Sequence, residues 1–129
     1  NQFKYEIIEI NNTDPSGEVA HSLGMAPWGA EVWVTFNADQ SINVNWTIQS
    51  GTRIKLGFSE RLWGAQLDQF STIPDVNHPS NLIACDDSKV RLAVSDQLEP
   101  PGTNDVRNTE EVIDWNNTTT TIYLWGWSV

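Results

Sequence analysis

Tryptophan is the residue type in this chain best suited to recognising a ligand, and the sequence carries seven of them. An indole ring stacks on apolar C–H surfaces, while amide and carboxylate groups beside it bond to hydroxyl groups, a combination that suits a sugar. Trp28 and Trp63 each precede a glycine at a predicted loop–strand junction, and two long loops, 71–81 and 98–117, add polar groups. The candidate ligand-binding residues are Trp28, Trp63, Asp75, Asn77, His78, Asn104, Asp105 and Trp115.

Catalytic motifs are absent from the sequence. It contains no Gly-rich phosphate loop, no Gly-x-Ser-x-Gly elbow and no His-Glu-x-x-His pair. A glycosidase needs only two facing carboxylates, so a small glycoside-acting enzyme is kept as an alternative. We nevertheless predict binding without catalysis and without a cofactor. Asp75 and Asn77 offer oxygen ligands of the kind calcium prefers, but their spacing is not that of an EF-hand. The sequence therefore does not decide whether binding requires calcium.

Charge and hydropathy narrow the possible partners and the compartment. The net charge is −10, from 17 acidic and 7 basic residues, which argues against nucleic acid and anionic membranes as partners. No run of 18 apolar residues is present, so we predict no transmembrane segment. The chain begins at Asn1 rather than Met, which favours a processed, secreted protein. Cys85 is the one cysteine and lies in an apolar run, which predicts a buried thiol.

Alternating polar and apolar residues dominate the first half of the chain. In 41–48 the alternation is unbroken, and 30–36 and 53–58 show it too. A strand turns successive side chains to opposite faces, and the connectors between these segments are rich in turn formers. We therefore predict a three-stranded antiparallel meander over 30–36, 41–48 and 53–58, with Arg53 and Lys55 on its polar face.

The C-terminal segment has a different pattern, because it is apolar on both faces. Residues 118–129 are β-branched and aromatic, which predicts a central strand whose one face presents Tyr123, Trp125 and Trp127, a possible aromatic platform. About six to eight strands are expected, with little or no helix. The prediction is a single all-β domain over 1–129, either an antiparallel β-sandwich or a flattened barrel.

The combined profile is short, acidic, tryptophan-rich and all-β, and in composition it resembles small lectins. The resemblance implies a secreted, extracellular carbohydrate-binding protein whose partners are mono- or oligosaccharides of a cell surface or cell wall. One alternative is a membrane-active or protein-interaction module, such as a cytolysin or an inhibitor, because exposed Trp suits a lipid interface. Another is a subunit of a homo-oligomer that assembles through the Trp-rich C-terminal strand.

Overall fold

The chain folds almost entirely into β-strands. The computed structural model describes residues 2–43, 46–58, 60–62, 81–96 and 112–128, with the backbone alone at 43, 46 and 60–62. Within these residues there are ten strands and one 3₁₀ turn, Trp115–Asn117. The all-β prediction is confirmed, with more strands than the six to eight expected. Strands β1 to β10 span Gln2–Asn11, Gly17–Ala20, Gly29–Phe36, Gln40–Asn43, Trp46–Ile48, Arg53–Lys55, Glu60–Leu62, Leu82–Cys85, Lys89–Ala93 and Thr118–Ser128.

Eight of these strands form two four-stranded sheets. Sheet A has the order β1-β10-β3-β6 and is antiparallel throughout. Sheet B has the order β2-β9-β8-β7 and contains one parallel pair, β7–β8. A parallel pair needs a connection of a dozen residues or more, and the length of chain between Leu62 and Leu82 is sufficient. Both sheets are open in the described part of the chain, so the architecture is a sandwich and not a closed barrel.

One hydrophobic core holds the two sheets together. Strand β3 alternates between half-buried and fully buried residues, as its sequence predicts, and places Val32, Val34 and Phe36 inward. The opposite wall comes from sheet B, whose buried residues in the same cluster include Ile83 and Val90. The remaining members of the cluster are Ala30, Ile42, Ile48, Leu56, Cys85, Leu92, Val94, Ile113, Ile122 and Leu124.

The predicted three-stranded meander is wrong for its middle segment, 41–48, which is not a strand between β3 and β6. Strand β3 pairs directly with β6, whereas 41–48 divides into β4 and β5, which pair with each other. Asn43 lies opposite Trp46, so the chain reverses between them. Both arms of this hairpin bury their apolar residues, Ile42 and Ile48, in the same core. Alternation therefore continues across the reversal and does not reveal it, although Asn43 and Asn45 are residues that turns favour.

Strand β10 is the centre of sheet A, which confirms the prediction of a central C-terminal strand. It pairs with β1 on one side and with β3 on the other. Ile122 and Leu124 point into the core and are fully buried, so Tyr123, Trp125 and Trp127 point to the opposite face. This arrangement brings residues from the two ends of the sequence next to each other.

The turn between β8 and β9 is closed by the carboxylate of Asp86. Its Oδ1 accepts hydrogen bonds from the backbone N–H groups of Ser88 and Lys89, each at 2.8 Å. The bond from Ser88 is the main reason why the pKa of Asp86 is lowered. A carboxyl group with a lowered folded pKa stabilises the protein above its unfolded pKa, and this stabilisation disappears as the pH falls through the folded value.

We therefore expect Asp86→Ala to unfold at a lower temperature than the wild type at pH 7, by roughly 2–4 °C, because two exposed turn hydrogen bonds are lost. The difference should persist down to the ordinary carboxyl pKa of 3.8 and narrow below it. Thermal unfolding followed by circular dichroism at pH 7 and at pH values below 3.8 measures it. Asp87→Ala is the matched control, because it removes the same charge from an exposed neighbour. Equal effects of the two substitutions at both pH values would contradict the assignment.

Candidate functional site

The outer face of sheet A, the side turned away from the core, carries the largest exposed apolar side chains of the described structure. In an antiparallel sheet, residues directly opposite each other point to the same face. Tyr5 lies opposite Trp125, and Phe3 lies opposite Trp127. From Phe3 to Asn11 of β1, the residues at odd positions are exposed and those at even positions are half-buried. The exposed side chains of β1 and the aromatic side chains of β10 therefore share this face.

Four exposed aromatic residues lie next to one another on this face and at its end. Phe3 is 50% exposed, Tyr5 69%, Trp28 62% and Trp127 40%. The ring centroids are 5.2 Å apart between Trp28 and Trp127, 5.1 Å between Trp127 and Phe3, and 6.3 Å between Phe3 and Tyr5. We call these four residues the aromatic row. Contiguous apolar surface of this kind on a protein usually marks a binding site.

Two glycines make room for the rings. A Cβ atom at Gly29 would collide with the indole of Trp125, which lies directly over that position. A Cβ atom at Gly126 would collide with Met25 and lie 3.0 Å from Cδ1 of Trp28. The backbone N–H of Trp28 also donates to the carbonyl of Trp125 at 2.8 Å. The Trp-Gly sequences at 28–29 and 125–126 thus hold the end of the aromatic row against β10.

A shallow groove lies beside the aromatic row. Its volume is about 250 Å³, and its lining includes Tyr5, Ile7, Tyr123, Trp125 and Glu31. Pockets for drug-sized ligands are roughly 300–1,000 Å³, so this groove has room for a single small ring or side chain. The lining is mostly apolar, and its charged residues are Glu6 and Glu31.

Charged residues border the groove on the side of β3 and β6. The Lys55 ammonium and the Glu31 carboxylate are 2.8 Å apart, and both side chains are partly exposed. The Arg53 guanidinium donates to the hydroxyl of Tyr123 at 3.1 Å and lies 4.8 Å from the centroid of the Trp33 ring, a cation–π distance. As predicted, Arg53 and Lys55 are exposed. The outer face is therefore aromatic at one end and charged at the other.

Cys85 is buried, and both ring nitrogens of His21 are hydrogen-bonded to the backbone. Burial, with the Asp86 charge as a second cause, raises the pKa of Cys85 to about 12, so the nucleophilic thiolate is disfavoured. Nδ1 of His21 accepts from the backbone N–H of Leu23 at 3.2 Å, and Nε2 donates to the carbonyl of Asp86 at 2.7 Å. Neither residue offers a free functional group for a reaction.

Two of the candidate ligand-binding residues lie in the described part of the chain. Trp28 is exposed, whereas Trp115 is half-buried against the core, and its Nε1 has no hydrogen-bond partner. Trp28 lies beside Gly126 and Trp115 just before Thr118, at opposite ends of β10, about 26 Å apart at the usual rise of a strand. The structure does not bring these two together. The other candidates, Trp63, Asp75, Asn77, His78, Asn104 and Asp105, lie outside the described residues.

The candidate residues did not include Phe3 and Tyr5, which are the part of the aromatic row on β1. Their signal was in the sequence, since Phe3, Tyr5 and Ile7 alternate with polar residues. What the alternation does not indicate is which of the two faces is covered. Between Phe3 and Ile7, the apolar side chains of β1 are exposed, and the polar side chains of Lys4 and Glu6 are half-buried.

No helix in the described part of the chain has the length and apolar character needed to cross a membrane. Among the same residues, no three His, Cys, Asp or Glu side chains converge in a way that could hold a metal ion. Comparison with known protein families, with curated proteins and with solved structures gives no match. The geometry of the outer face is therefore the basis for inferring a function.

Proposed function

We propose that the chain is a secreted carbohydrate-binding protein whose site is the aromatic row together with the adjacent groove. The observation that supports this most directly is the contiguity of four exposed aromatic rings next to a groove bordered by a carboxylate. Sugars present apolar C–H faces that stack on such rings, and their hydroxyl groups bond to polar groups at the edge. The partners would be mono- or oligosaccharides of a cell surface or cell wall.

The tilt of the rings favours one kind of glycan over another. Trp28 and Trp127 are inclined by 58° to each other, and Trp127 and Phe3 by 60°. A flat, crystalline polysaccharide needs several coplanar rings, which these angles do not provide. Because the rings of the aromatic row are not coplanar, we expect it to bind one or two sugar units. The edge of one sugar ring would then enter the groove beside Tyr5.

The polar groups available at the groove are suited to hydroxyl ligands. The Tyr5 side chain is 69% exposed, so its hydroxyl is accessible to a ligand. The Glu31 carboxylate has two oxygens and four lone-pair sites, so it can accept from a sugar hydroxyl while it remains paired with Lys55. Binding of this kind involves no chemical step and no cofactor.

We expect Trp127→Ala to weaken glycan binding at least tenfold, because it removes the ring that contacts both Trp28 and Phe3. A broad glycan array identifies the ligand, and isothermal titration then gives the dissociation constants. Trp127→Tyr is the control, because it keeps a stacking face and should retain most of the affinity. Unchanged binding by Trp127→Ala, or no glycan bound by the wild type with or without calcium, would contradict the proposal.

A membrane-active or protein-interaction module is the second candidate, and one observation favours it. Phe3 and Ile7, 50% and 52% exposed, have no hydrogen-bonding group in their side chains, so they gain more from lipid or apolar protein than from sugar. With a net charge of −10, the lipid would have to be zwitterionic. Vesicles of phosphatidylcholine loaded with a dye separate the two functions: leakage supports the module, and glycan binding without leakage supports the lectin.

A further inference from the structure

The two edges of sheet A differ in how well they are protected against pairing with another strand. At one edge, β6 has three residues, two of which are the exposed charged residues Arg53 and Lys55. Short, charged edges discourage the addition of a further strand. At the other edge, β1 runs for ten residues without a proline and exposes Phe3, Tyr5 and Ile7. No described strand pairs with its far side.

The hydrogen-bond pattern shows which groups of β1 face outward. The N–H of Asn12 donates to the carbonyl of Thr118 at 2.8 Å, so the position of Asn12 is bonded toward β10. Bonding alternates along an antiparallel strand, so even positions of β1 face β10. The N–H and C=O groups of Phe3, Tyr5 and Ile7 therefore point away from the sheet. A groove of about 320 Å³ follows this edge, lined by Phe3, Lys4, Tyr5, Ser22 and Leu23.

Inward-pointing charges on an edge strand normally oppose pairing, because an incoming strand would place an apolar residue against them. Lys4 and Glu6 are such residues, half-buried on the inner side of β1. They would favour pairing only with a strand that presents the opposite charges at the matching positions. The strand that does so is β1 of a second copy, running antiparallel.

Register decides whether the charges match. Outward-facing residues must lie opposite one another, so a two-fold pairing is centred on a single residue, and the middle of the strand offers centres from Lys4 to Ile8. Centred on Ile7 or Ile8, the pairing puts the Glu6 carboxylate opposite an isoleucine of the partner, which is unfavourable for a charge. Centred on Lys4 or on Glu6, the pairing puts like charges in direct opposition, which is destabilising. Centred on Tyr5, it puts each Lys4 opposite the partner's Glu6 and each Phe3 opposite the partner's Ile7. Oε1 of Glu6 accepts from the N–H of Ser22, and its second oxygen has no partner in the described part of the chain, so it can pair with Lys4 of the partner.

We propose that the chain forms a two-fold dimer in which β1 pairs antiparallel with β1 of a second copy, with Tyr5 opposite the partner's Tyr5. The two copies of sheet A then form one continuous eight-stranded sheet. The two-fold axis is perpendicular to this sheet, so both outer faces lie on the same side. Pairing closes the edge in both copies, which gives a dimer rather than an open filament.

Disulfide trapping tests the register directly. In a bonded antiparallel pair the Cα atoms are about 5.5 Å apart, within disulfide range. We expect Tyr5→Cys to form a covalent dimer under mild oxidation, seen on a non-reducing gel, while Ile7→Cys on the same strand and face stays monomeric. The native Cys85 is buried and does not interfere. No covalent dimer with Tyr5→Cys, or one with Ile7→Cys alone, would overturn the proposal.

Charge exchange tests the pairing without a new bond. In sedimentation equilibrium, Lys4→Glu should raise the dimer dissociation constant about tenfold or more, because it creates two repulsive pairs. Adding Glu6→Lys should return the dimer dissociation constant to within about threefold of the wild-type value, because each ion pair is then present with its charges exchanged. The lost bond to Ser22 should lower the melting temperature of the double variant and leave its assembly intact. A wild type that stays monomeric at high micromolar concentration, or a double variant as weak as Lys4→Glu, would refute the dimer.

Discussion

Phe36→Ala is expected to lower the free energy of unfolding by about 3–5 kcal/mol, the range found for large aromatic residues removed from a closed core. Phe36 is fully buried at the end of β3, in the cluster shared by the two sheets. Its backbone N–H and C=O also bond to the segment Gly51–Thr52 that precedes β6. The side chain is therefore packed where both sheets and this turn meet, and its loss leaves a cavity that none of them can fill alone.

The same substitution at Phe3 provides the comparison. Phe3 is half exposed and packs beside the rings of Tyr5 and Trp127, so Phe3→Ala should cost about 1 kcal/mol. Urea unfolding followed by far-ultraviolet circular dichroism measures both variants on the same scale. If the two variants lost similar stability, the core would not be arranged around β3 as described. Phe3→Ala should instead affect ligand binding, which Phe36→Ala affects only through unfolding.

Alkaline pH is expected to destabilise the protein through Cys85, which gives the second large effect. Burial raises the pKa of this thiol from the ordinary value of 9.0 to about 12. Between these values the unfolded chain has lost a proton that the folded chain keeps. The stability is therefore complete below pH 9.0 and falls by about 1.4 kcal/mol for each pH unit above it, until the pH reaches the folded pKa.

Comparison with Cys85→Ala isolates this contribution from the ionisation of lysine and tyrosine, which both chains share. From pH 9 to 10.5 we expect the wild type to lose about 2 kcal/mol more than the variant, and below pH 9 the difference should be constant. Urea midpoints over this range give the result. An aromatic disulfide reagent should also leave the native thiol unmodified at pH 8 and react once the chain is unfolded. Parallel pH profiles of the two chains would contradict the burial argument.

The proposed ligand site and the proposed dimer share Phe3 and Tyr5 of β1, but Trp127 belongs to the site alone and Lys4 to the dimer alone, so their tests remain separate. Trp127 lies one strand away from the dimer edge, so Trp127→Ala should change glycan affinity without changing the sedimentation of the protein. Lys4→Glu should weaken dimerisation in sedimentation without changing the affinity of one site for a monovalent glycan. If both proposals hold, the dimer presents two sites on one side of a continuous sheet, and a multivalent glycan surface should be bound more tightly by the dimer than by a monomeric variant.

Local patterns were sufficient for the class of the fold and for several of its strands. Alternation in 30–36 predicted which residues of β3 are inward, because a strand has a strict two-residue period. The two-sided apolar pattern of 118–129 predicted a central strand, since a strand between two neighbours in a sandwich is covered on its inner face and contacts large side chains on the other. The burial of Cys85 followed from the apolar run around it. That the chain is a single domain over 1–129 stays a prediction.

The pairing of strands and the position of the exposed aromatic row were decided only by the tertiary structure. Alternation reports the face of a side chain, not its neighbour, so 41–48 read as one strand although it is a hairpin. For the same reason the pattern of β1 did not show that Phe3 and Tyr5 remain uncovered. The aromatic row joins β1 with Trp28 and Trp127, which are far apart in the sequence, and only the pairing of β1 with β10 places them together. Residue types alone led to the prediction of aromatic recognition, whereas long-range strand pairing determined which aromatic side chains are exposed.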